Sequence, residues 1–227
     1  MRTLLFIIIV SVAAIAIGRN TGFGSPAETP NQNAPETSTE KTGVLRYRIQ
    51  GPDGLVPGRI TVLEPDVDLV ALGGPFDDRH AVREDVCYAM DGTGELVLPA
   101  GECEILASRG IEWTLDRRRI DVPAGGRVEL TLEIAPAVDT TGMVGGDLHL
   151  HTLTHSGHGD SNMPERIVSL LGEGVDFAVA TDHNRNIDYR PTIDALKAGD
   201  GITSMVGNEV STPAGHFNAF PLDAKRP

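Results

Sequence analysis

The sequence predicts a β-sandwich followed by an α/β domain, and two patterns along the chain support this prediction. Between residues 43 and 138, apolar and polar residues alternate in short runs separated by Gly, Pro and Asp, which is typical of antiparallel strands with one solvated face. After residue 143, an amphipathic run precedes an almost continuously apolar one, which indicates a helix and a buried parallel strand. The 227 residues are enough for two domains that each have a core.

The composition is that of a folded, acidic protein. Hydrophobic residues make up 40% of the chain and charged residues 22%, which is unlike the composition of a disordered chain. The 19 Lys and Arg residues against 32 Asp and Glu residues give a net charge of −13. Because such a surface repels a polyanion and the longest basic run is Arg117–Arg119, the sequence argues against a nucleic-acid partner.

The first 42 residues predict export. Residues 1–18 contain an early basic residue, Arg2, and a 14-residue apolar run from Leu4 to Ile17, which is typical of a signal peptide. The run is shorter than the roughly 20 apolar residues of a spanning helix, although an uncleaved N-terminal anchor stays an alternative. Residues 19–42 are rich in Asn, Thr, Pro and Ser and predict a flexible linker. We therefore expect a periplasmic or extracellular protein that meets a membrane only through an uncleaved N-terminal segment.

The predicted β-sandwich, residues 43–138, carries little chemistry. The stretches 98–105 and 121–126 resemble carboxypeptidase-regulatory-like domains, which are usually accessory modules. His80 is the only histidine of this part and is expected to lie in a solvated loop. Trp113 fits either packing or a sugar-stacking platform. We expect no catalytic role for this domain.

The chain has two cysteines, Cys87 and Cys103, on either side of the hairpin-like turn Asp91–Gly94. In an exported protein an even number of cysteines permits a disulfide, and strands flanking one turn would be adjacent. Two buried free thiols explain the same residues equally well, so both alternatives remain open at this point.

The histidines are concentrated in the second half of the chain. Of the seven, six lie between His149 and His216. His149 and His151 are two residues apart on a predicted strand, so their side chains project from the same face. Two imidazoles at that spacing can chelate one divalent ion.

Further candidate ligands follow the ends of predicted strands. A buried strand over residues 175–181 is followed by His183, a third strand over residues 202–209 ends in Glu209, and His216 lies on a fourth. Active sites of β/α barrels gather at the carboxyl ends of their strands. Imidazole and carboxylate ligands suit Zn, Mn or Fe, so the pattern predicts a site for divalent transition metal ions.

Four motifs together make this half of the chain resemble the PHP family, the polymerase and histidinol phosphatase superfamily of metallohydrolases. They are Asp-Leu-His149-Leu-His151-Thr, Ala-Thr-Asp182-His183-Asn, Gly-Asn-Glu209 and Gly-His216-Phe-Asn-Ala. With a regulatory-like sandwich before them, the arrangement is most similar to the CehA/McbA-type branch. The resemblance implies a distorted (β/α)7 barrel that binds up to three metal ions, of which residues 143–227 would be the N-terminal half.

The resemblance also implies which side chains bind the first two ions. His149 and His151 would bind the first ion, and His216 would bind the second. Glu209 would bridge two ions.

For the third ion, the resemblance implies His183 together with a residue of the loop 152–161. Asp160 fits the family pattern best, and His158 is the alternative. Asp182 is expected to orient the end of its strand, and Asp147 is a candidate acceptor for the second ring N–H of a ligating histidine.

The resemblance covers about residues 143–222 and leaves out the later segments of the family, which normally supply another histidine and an Asp-x-His pair. No histidine follows His216. We therefore expect the chain to be a fragment or an interrupted gene product.

These patterns predict an exported hydrolase whose substrate is a small molecule, either a phosphate ester or an amide or carbamate-like ester. Metal ions would activate a water as hydroxide and polarise the bond under attack. A different class of function stays open: a secreted carbohydrate- or surface-binding β-sandwich protein with a degenerate metal domain. A third alternative is metal capture by the loop around His155 and His158.

Overall fold

The computed structural model describes residues 41–225. The predicted signal peptide or anchor, residues 1–18, lies outside the described residues, and so does the predicted linker 19–42 except for its last two residues. Residues 41–225 contain fourteen strands and three helices, so the described part is mostly β-structure. None of its helices is both long enough and apolar enough to cross a membrane.

Two sheets in the first half of the described chain are built from nine strands. In the first sheet, β1 pairs antiparallel with β2 and β6 and parallel with β9. Its strands are β1 (Thr42–Gly51), β2 (Gly54–Leu55), β6 (Thr93–Pro99) and β9 (Arg127–Glu133). The second sheet is antiparallel and has the order β4-β5-β3-β7-β8. Its strands are β3 (Gly58–Glu64), β4 (His80–Arg83), β5 (Val86–Ala89), β7 (Gly101–Ser108) and β8 (Asp116–Val122).

The two sheets share one apolar core, as the alternating pattern predicts. Leu45, Tyr47 and Ile49 of β1 are fully buried, whereas the residues between them are only partly buried or exposed. Ile60 and Ile105 of the second sheet belong to the same core. Because side chains alternate between the faces of a strand, each sheet contributes one face to this core.

Both cysteines are buried free thiols. Cys87 lies on β5 and Cys103 on β7, and β3 runs between these two strands. Strands separated by a third strand are about 9–10 Å apart, which is too far for a disulfide. The prediction that their strands could be adjacent is therefore wrong, and burial raises the pKa of the Cys87 thiol to about 12.

The structure defines the surroundings of His80 and Trp113, two side chains of this half that the sequence analysis singled out. His80 begins β4 and is mostly buried, with Nδ1 2.8 Å from Asp77 Oδ1 and Nε2 2.9 Å from the carbonyl oxygen of Thr93. The expected solvated loop is therefore wrong for this histidine. Trp113 packs against the core, and the Arg109 guanidinium lies over its ring, 5.3 Å from the centroid.

The second half contains a parallel sheet and a separate hairpin. The sheet has the order β10-β11-β12 and consists of β10 (Gly146–Leu150), β11 (Phe177–Ala180) and β12 (Thr203–Val206). Three helices lie between its strands: α1 (Leu153–Ser156), α2 (Met163–Gly172) and α3 (Arg190–Ala195). The hairpin pairs β13 (Asn208–Thr212) antiparallel with β14 (Gly215–Ala219).

Helix α2 and strand β11 form where the sequence predicts them. Asn162 caps α2 by accepting a hydrogen bond from the Glu165 amide, and the Glu165 side chain accepts one from the Asn162 amide in return. Pro164 lies in the first turn, where its missing N–H is tolerated. Residues 178–180 of β11 are fully buried, which explains their continuous apolar pattern.

The predicted third and fourth strands differ from the expectation. The strand over residues 202–209 is interrupted at Gly207, so Glu209 belongs to β13 and not to the parallel sheet. His216 lies on β14, which returns antiparallel to β13. Among residues 41–225, the strands form four sheets and no β/α barrel is evident.

Gly207 is required at this interruption because the chain passes close to β11. A Cβ atom there would lie 2.7 Å from Val179 Cγ1 and 2.9 Å from the carbonyl oxygen of Ala180, which is closer than real contacts allow. The absence of a side chain therefore lets the hairpin lie against the end of the parallel sheet.

The two halves of the chain pack directly against each other. Helix α2 lies on the second sheet, and Ala81 and Met90 from the first half are buried in the core of the second. Arg59 forms an ion pair with Glu173, with 2.7 Å between Nη1 and Oε1, and the Tyr88 hydroxyl donates to the same oxygen at 2.9 Å. The first half of the described chain therefore contacts α2 directly, and α2 in turn packs into the core of the second half.

We predict that Gly207→Ala lowers the free energy of unfolding by about 1–3 kcal/mol, the usual cost of inserting a methyl group into a packed site. Gly199→Ala is the matched control, because no heavy atom lies within 4 Å of its added Cβ. We expect the control to change stability by less than about 0.5 kcal/mol. Urea unfolding of both variants measures the difference, and equal stabilities would contradict the packing of Gly207.

Candidate metal centre

Two parallel strands bring three of the candidate ligands to the same edge of a sheet. His149 lies near the end of β10, His151 follows that strand, and His183 follows β11. Neighbouring parallel strands end at the same edge, so these side chains meet there. At that edge the Thr181 hydroxyl accepts a hydrogen bond from the Leu150 amide at 2.7 Å and donates one to its carbonyl oxygen at 2.9 Å.

The β13–β14 hairpin brings the other two candidate ligands, Glu209 and His216, to the same edge. Glu209 forms a parallel β-bridge with His183, and the Asn184 amide donates to the Glu209 carbonyl oxygen at 3.0 Å. Asn184 is left-handed (φ 54°), a conformation that Asn adopts more readily than most residues. Its side-chain oxygen accepts a hydrogen bond from the Ser211 amide at 2.9 Å, which fixes the hairpin against the turn after β11.

The Glu209 carboxylate lies at the centre of the cluster, and its side chain is only 6% exposed. Its Oε1 lies 3.3 Å from His149 Nε2 and 3.0 Å from His216 Nδ1. Its Oε2 lies 3.0 Å from His151 Nε2 and 3.1 Å from His183 Nδ1. Each carboxylate oxygen therefore faces two imidazoles, an arrangement in which one carboxylate can bridge two ions.

The fifth histidine of the cluster is His158. Its ring centroid lies 5.1 Å from that of His151 and 4.8 Å from that of His183. In the part of the chain that the structure describes, three groups of side chains have ligand atoms close enough to hold an ion. They are His151–His158–His183, His149–His151–Glu209 and His183–Glu209–His216.

Asp160, which the sequence favoured over His158, lies outside these groups. Its side chain is 70% exposed, and Oδ2 lies 3.9 Å from the Nε atom of Arg83. Within the loop 152–161, α1 forms and is followed by Gly157 in the left-handed conformation (φ 71°). His158 comes directly after this turn and faces the cluster, whereas His155 belongs to none of the three groups.

A buried hydrogen-bond network orients His151. Asp182 Oδ1 accepts hydrogen bonds from the Thr152 amide at 2.8 Å, the Thr152 hydroxyl at 2.9 Å and the Ser156 hydroxyl at 2.7 Å. Its Oδ2 accepts one from the Tyr189 hydroxyl at 2.9 Å. Asp182 therefore joins the start of α1 to the end of β11, in agreement with its expected orienting role.

The same network fixes the tautomer of His151. Ser156 Oγ uses its single proton to donate to Asp182, so it accepts at its other contacts, which are the His183 amide and His151 Nδ1, each at 3.2 Å. His151 Nδ1 must therefore carry the ring proton. The lone pair on His151 Nε2 then lies 3.0 Å from both His149 Nε2 and Glu209 Oε2, and this carboxylate oxygen accepts no hydrogen bond from any described residue.

This contact between two acceptors fits a cation and does not fit a hydrogen bond. A ring nitrogen and a carboxylate oxygen that both present lone pairs repel each other at 3.0 Å unless a positive charge lies near both. Ligand bonds of about 2.1 Å at angles of about 90–110° place neighbouring donor atoms about 3.0–3.4 Å apart. The distances of 3.0–3.3 Å around Glu209 are of this size, so the residues present fit divalent transition metal ions.

Two pKa shifts favour the protonation states that metal ligands require. Burial raises the pKa of Glu209, but the hydrogen bond from His149 and the charges of the surrounding imidazoles outweigh it, so the pKa lies below its usual value. Burial lowers the pKa of His151, and the attraction of Glu209 offsets this only in part. The ionised carboxylate and the neutral imidazole are the forms that bind metal.

Asp147 was expected to accept a ring N–H of a ligating histidine, but it contacts a backbone amide instead. Its Oδ1 accepts a hydrogen bond from the His149 amide at 3.0 Å, so it fixes the backbone of that ligand and not its ring. The His151 carbonyl oxygen is held in a similar way by Arg166 Nε at 3.1 Å. The first contact is local to β10, whereas the second depends on how α2 lies against the end of that strand.

Comparisons with known proteins add little to this geometry. No protein-family model and no curated protein matches the chain. Part of the chain is similar to a solved structure titled "The Bacillus anthracis TIE protein", with a TM-score of 0.30 and 19% sequence identity. The match covers 47% of this chain and spans 17% of the length of that protein. A likeness of this extent carries no argument about fold or function.

We predict that Ser156→Ala weakens metal binding by about 10–100-fold, because side chains that hydrogen-bond to a ligating imidazole orient it and Ser156 contacts the His151 ring. Ser169→Ala is the matched control, since the Ser169 hydroxyl donates only within α2, to the Arg166 carbonyl oxygen. Competition titration with a chelating indicator measures the affinities. Nitrogen-15 NMR of the metal-free wild type should show the proton on His151 Nδ1, and a proton on Nε2 would contradict the network.

Proposed function

We propose that this chain is a metal-dependent hydrolase that acts, after export, on phosphate esters or on amides or carbamate-like esters. The observation that carries the proposal is the contact between His151 Nε2 and Glu209 Oε2, two acceptors 3.0 Å apart in a buried cluster. A structural salt bridge would instead place a ring N–H against this oxygen.

The cluster offers overlapping ligand sets for up to three ions, the number that the PHP resemblance implies. Glu209, His151 and His183 each occur in two of these sets. His151, with its proton on Nδ1, would bind a single ion through Nε2, whereas the two oxygens of Glu209 would allow it to take part in two sites. The full set of proposed ligands is His149, His151, His158, His183, Glu209 and His216. Zn, Mn and Fe are the ions that this mixture of imidazole and carboxylate suits.

The histidines around Glu209 differ in how far they are exposed to solvent. The side chains of His149 and His216 are each 52% exposed, whereas those of His151 and His183 are 21% exposed. The cluster therefore opens to solvent on the side of His149 and His216, where a substrate can reach it. When bound, divalent ions of this kind lower the pKa of a water and polarise the bond to be hydrolysed.

The reaction class rests on the resemblance to the PHP family and its CehA/McbA-type branch. On this proposal, the parallel sheet and the hairpin after it correspond to the first part of that family's barrel. A regulatory-like β-sandwich before the metal domain is also part of the resemblance. Fold alone does not determine a reaction, so the substrate must be identified by assay.

The alternatives raised by the sequence find less support in the side chains. Trp113, the proposed sugar-stacking platform, packs against the first core with Arg109 over its ring. Metal capture by the loop alone would need His155 and His158 to act together, but His158 is grouped with His151 and His183. We therefore propose a single function.

We predict that Glu209→Gln lowers the bound metal and reduces hydrolysis at least about 100-fold, because the amide cannot neutralise or bridge two cations. Glu129→Gln, on an exposed position of β9, is the matched control and should keep wild-type values. Plasma emission spectrometry measures the metal, and a panel of nitrophenyl phosphate, carboxylate and carbamate esters measures hydrolysis. A wild type without transition metal after metal loading, or hydrolysis that chelators leave unchanged, would refute the proposal.

A further inference from the structure

Arg83, at the end of β4, reaches from the first domain to the loop that carries His158. Its Nη1 and Nη2 atoms donate to the two carboxylate oxygens of Glu165 at 3.1 and 2.9 Å, which is a bidentate pair. Nη2 also donates to the carbonyl oxygen of Asp160. One guanidinium therefore holds both the loop backbone and the first turn of α2.

The loop depends on such a contact because the two glycines that flank His158 allow its backbone many conformations. Gly157 and Gly159 both have positive φ angles, 71° and 88°, on either side of His158, and no heavy atom lies within 4 Å of a Cβ built at either position. The far end of the loop is fixed by the hydrogen bond from the Leu153 amide to the Ser161 carbonyl oxygen at 2.8 Å. Arg83 fixes Asp160, two residues from the imidazole.

The space around this contact would allow the loop to move if the contact were lost. A cavity of about 370 Å³ lies between the two domains and is lined by Arg83, Asp160 and Ser161. Its wall also includes Leu150 and Arg166, which lie next to His151 or contact its carbonyl oxygen. Removal of the guanidinium would enlarge this cavity on the loop side, and the two glycines offer no steric resistance to a shift.

We propose that Arg83 is a positioning residue for His158, so that the β-sandwich domain helps to build the metal centre. The proposal rests on the proposed function, because it assigns to the sandwich a part in the same site. Arg83 touches no ligand atom of the cluster; it acts through the Asp160 carbonyl oxygen and the cap of α2. His158 is then held where its ring lies 4.8 Å from that of His183.

The interface offers a matched control of the same chemistry. Arg59 also pairs with a carboxylate across the domains, with 2.7 Å between its Nη1 atom and Glu173 Oε1. Glu173 follows the opposite end of α2, whereas Glu165 lies in its first turn. Arg59→Met therefore removes an interdomain ion pair without touching the loop 157–161.

The experiment combines hydrogen exchange with metal titration on the full chain. In Arg83→Met we expect exchange of amides 157–161 to rise at least about tenfold in the metal-free protein, with exchange in α2 beyond its first turn unchanged. We expect the metal affinity of the site that includes His158 to fall about 10–100-fold, the usual effect of removing a side chain that positions a ligand. Arg59→Met should show neither effect.

A double-mutant comparison separates positioning from general destabilisation. In a His158→Ala background, Arg83→Met should cause no further loss of metal affinity, because residues that act as one unit are not additive. An additive loss, or unchanged exchange at 157–161, would overturn the role of Arg83 while the wild type still binds metal. A wild type that binds no metal would overturn the proposed function itself.

Discussion

The buried carboxylate of Glu209 is the constraint on which the second half of the molecule depends. An ionised carboxylate that is 6% exposed is costly unless positive charge lies close to it. Imidazoles surround both of its oxygens, but one of the two at 3.0 Å, His151 Nε2, presents a lone pair. A divalent ion would offset both the desolvation cost of the carboxylate and the repulsion between the two lone pairs. We therefore propose that the cluster binds metal ions.

The elements around the cluster each contribute to this geometry. The parallel strands bring the histidines to one edge, and Gly207 lets the hairpin carrying Glu209 approach that edge. Asp182 joins the two loops that follow the strands, and Ser156, which donates to Asp182, accepts a hydrogen bond from the His151 ring. The first half of the described chain contributes Arg83, which contacts the loop of His158 and the first turn of α2 and which we propose positions that loop.

The sequence predicted most of the cluster but less of its surroundings. Five of the six predicted ligands come together, because strand ends and the two-residue period are local properties that a sequence pattern carries. The exchange of Asp160 for His158 depends on α1 and on a left-handed Gly157, which no periodicity encodes. The interruption at Gly207 and the docking of Arg83 were also missed, since both arise from packing between segments far apart in the chain.

Anomalous diffraction at the absorption edge of Zn or Mn, from crystals grown with that ion, would show whether the Glu209 cluster binds metal. We expect a peak about 2.0–2.3 Å from a Glu209 oxygen and from at least two imidazole nitrogens, including His151 Nε2. A cluster without a peak, with ring N–H groups of His151 and His183 donating to Glu209, would contradict this expectation.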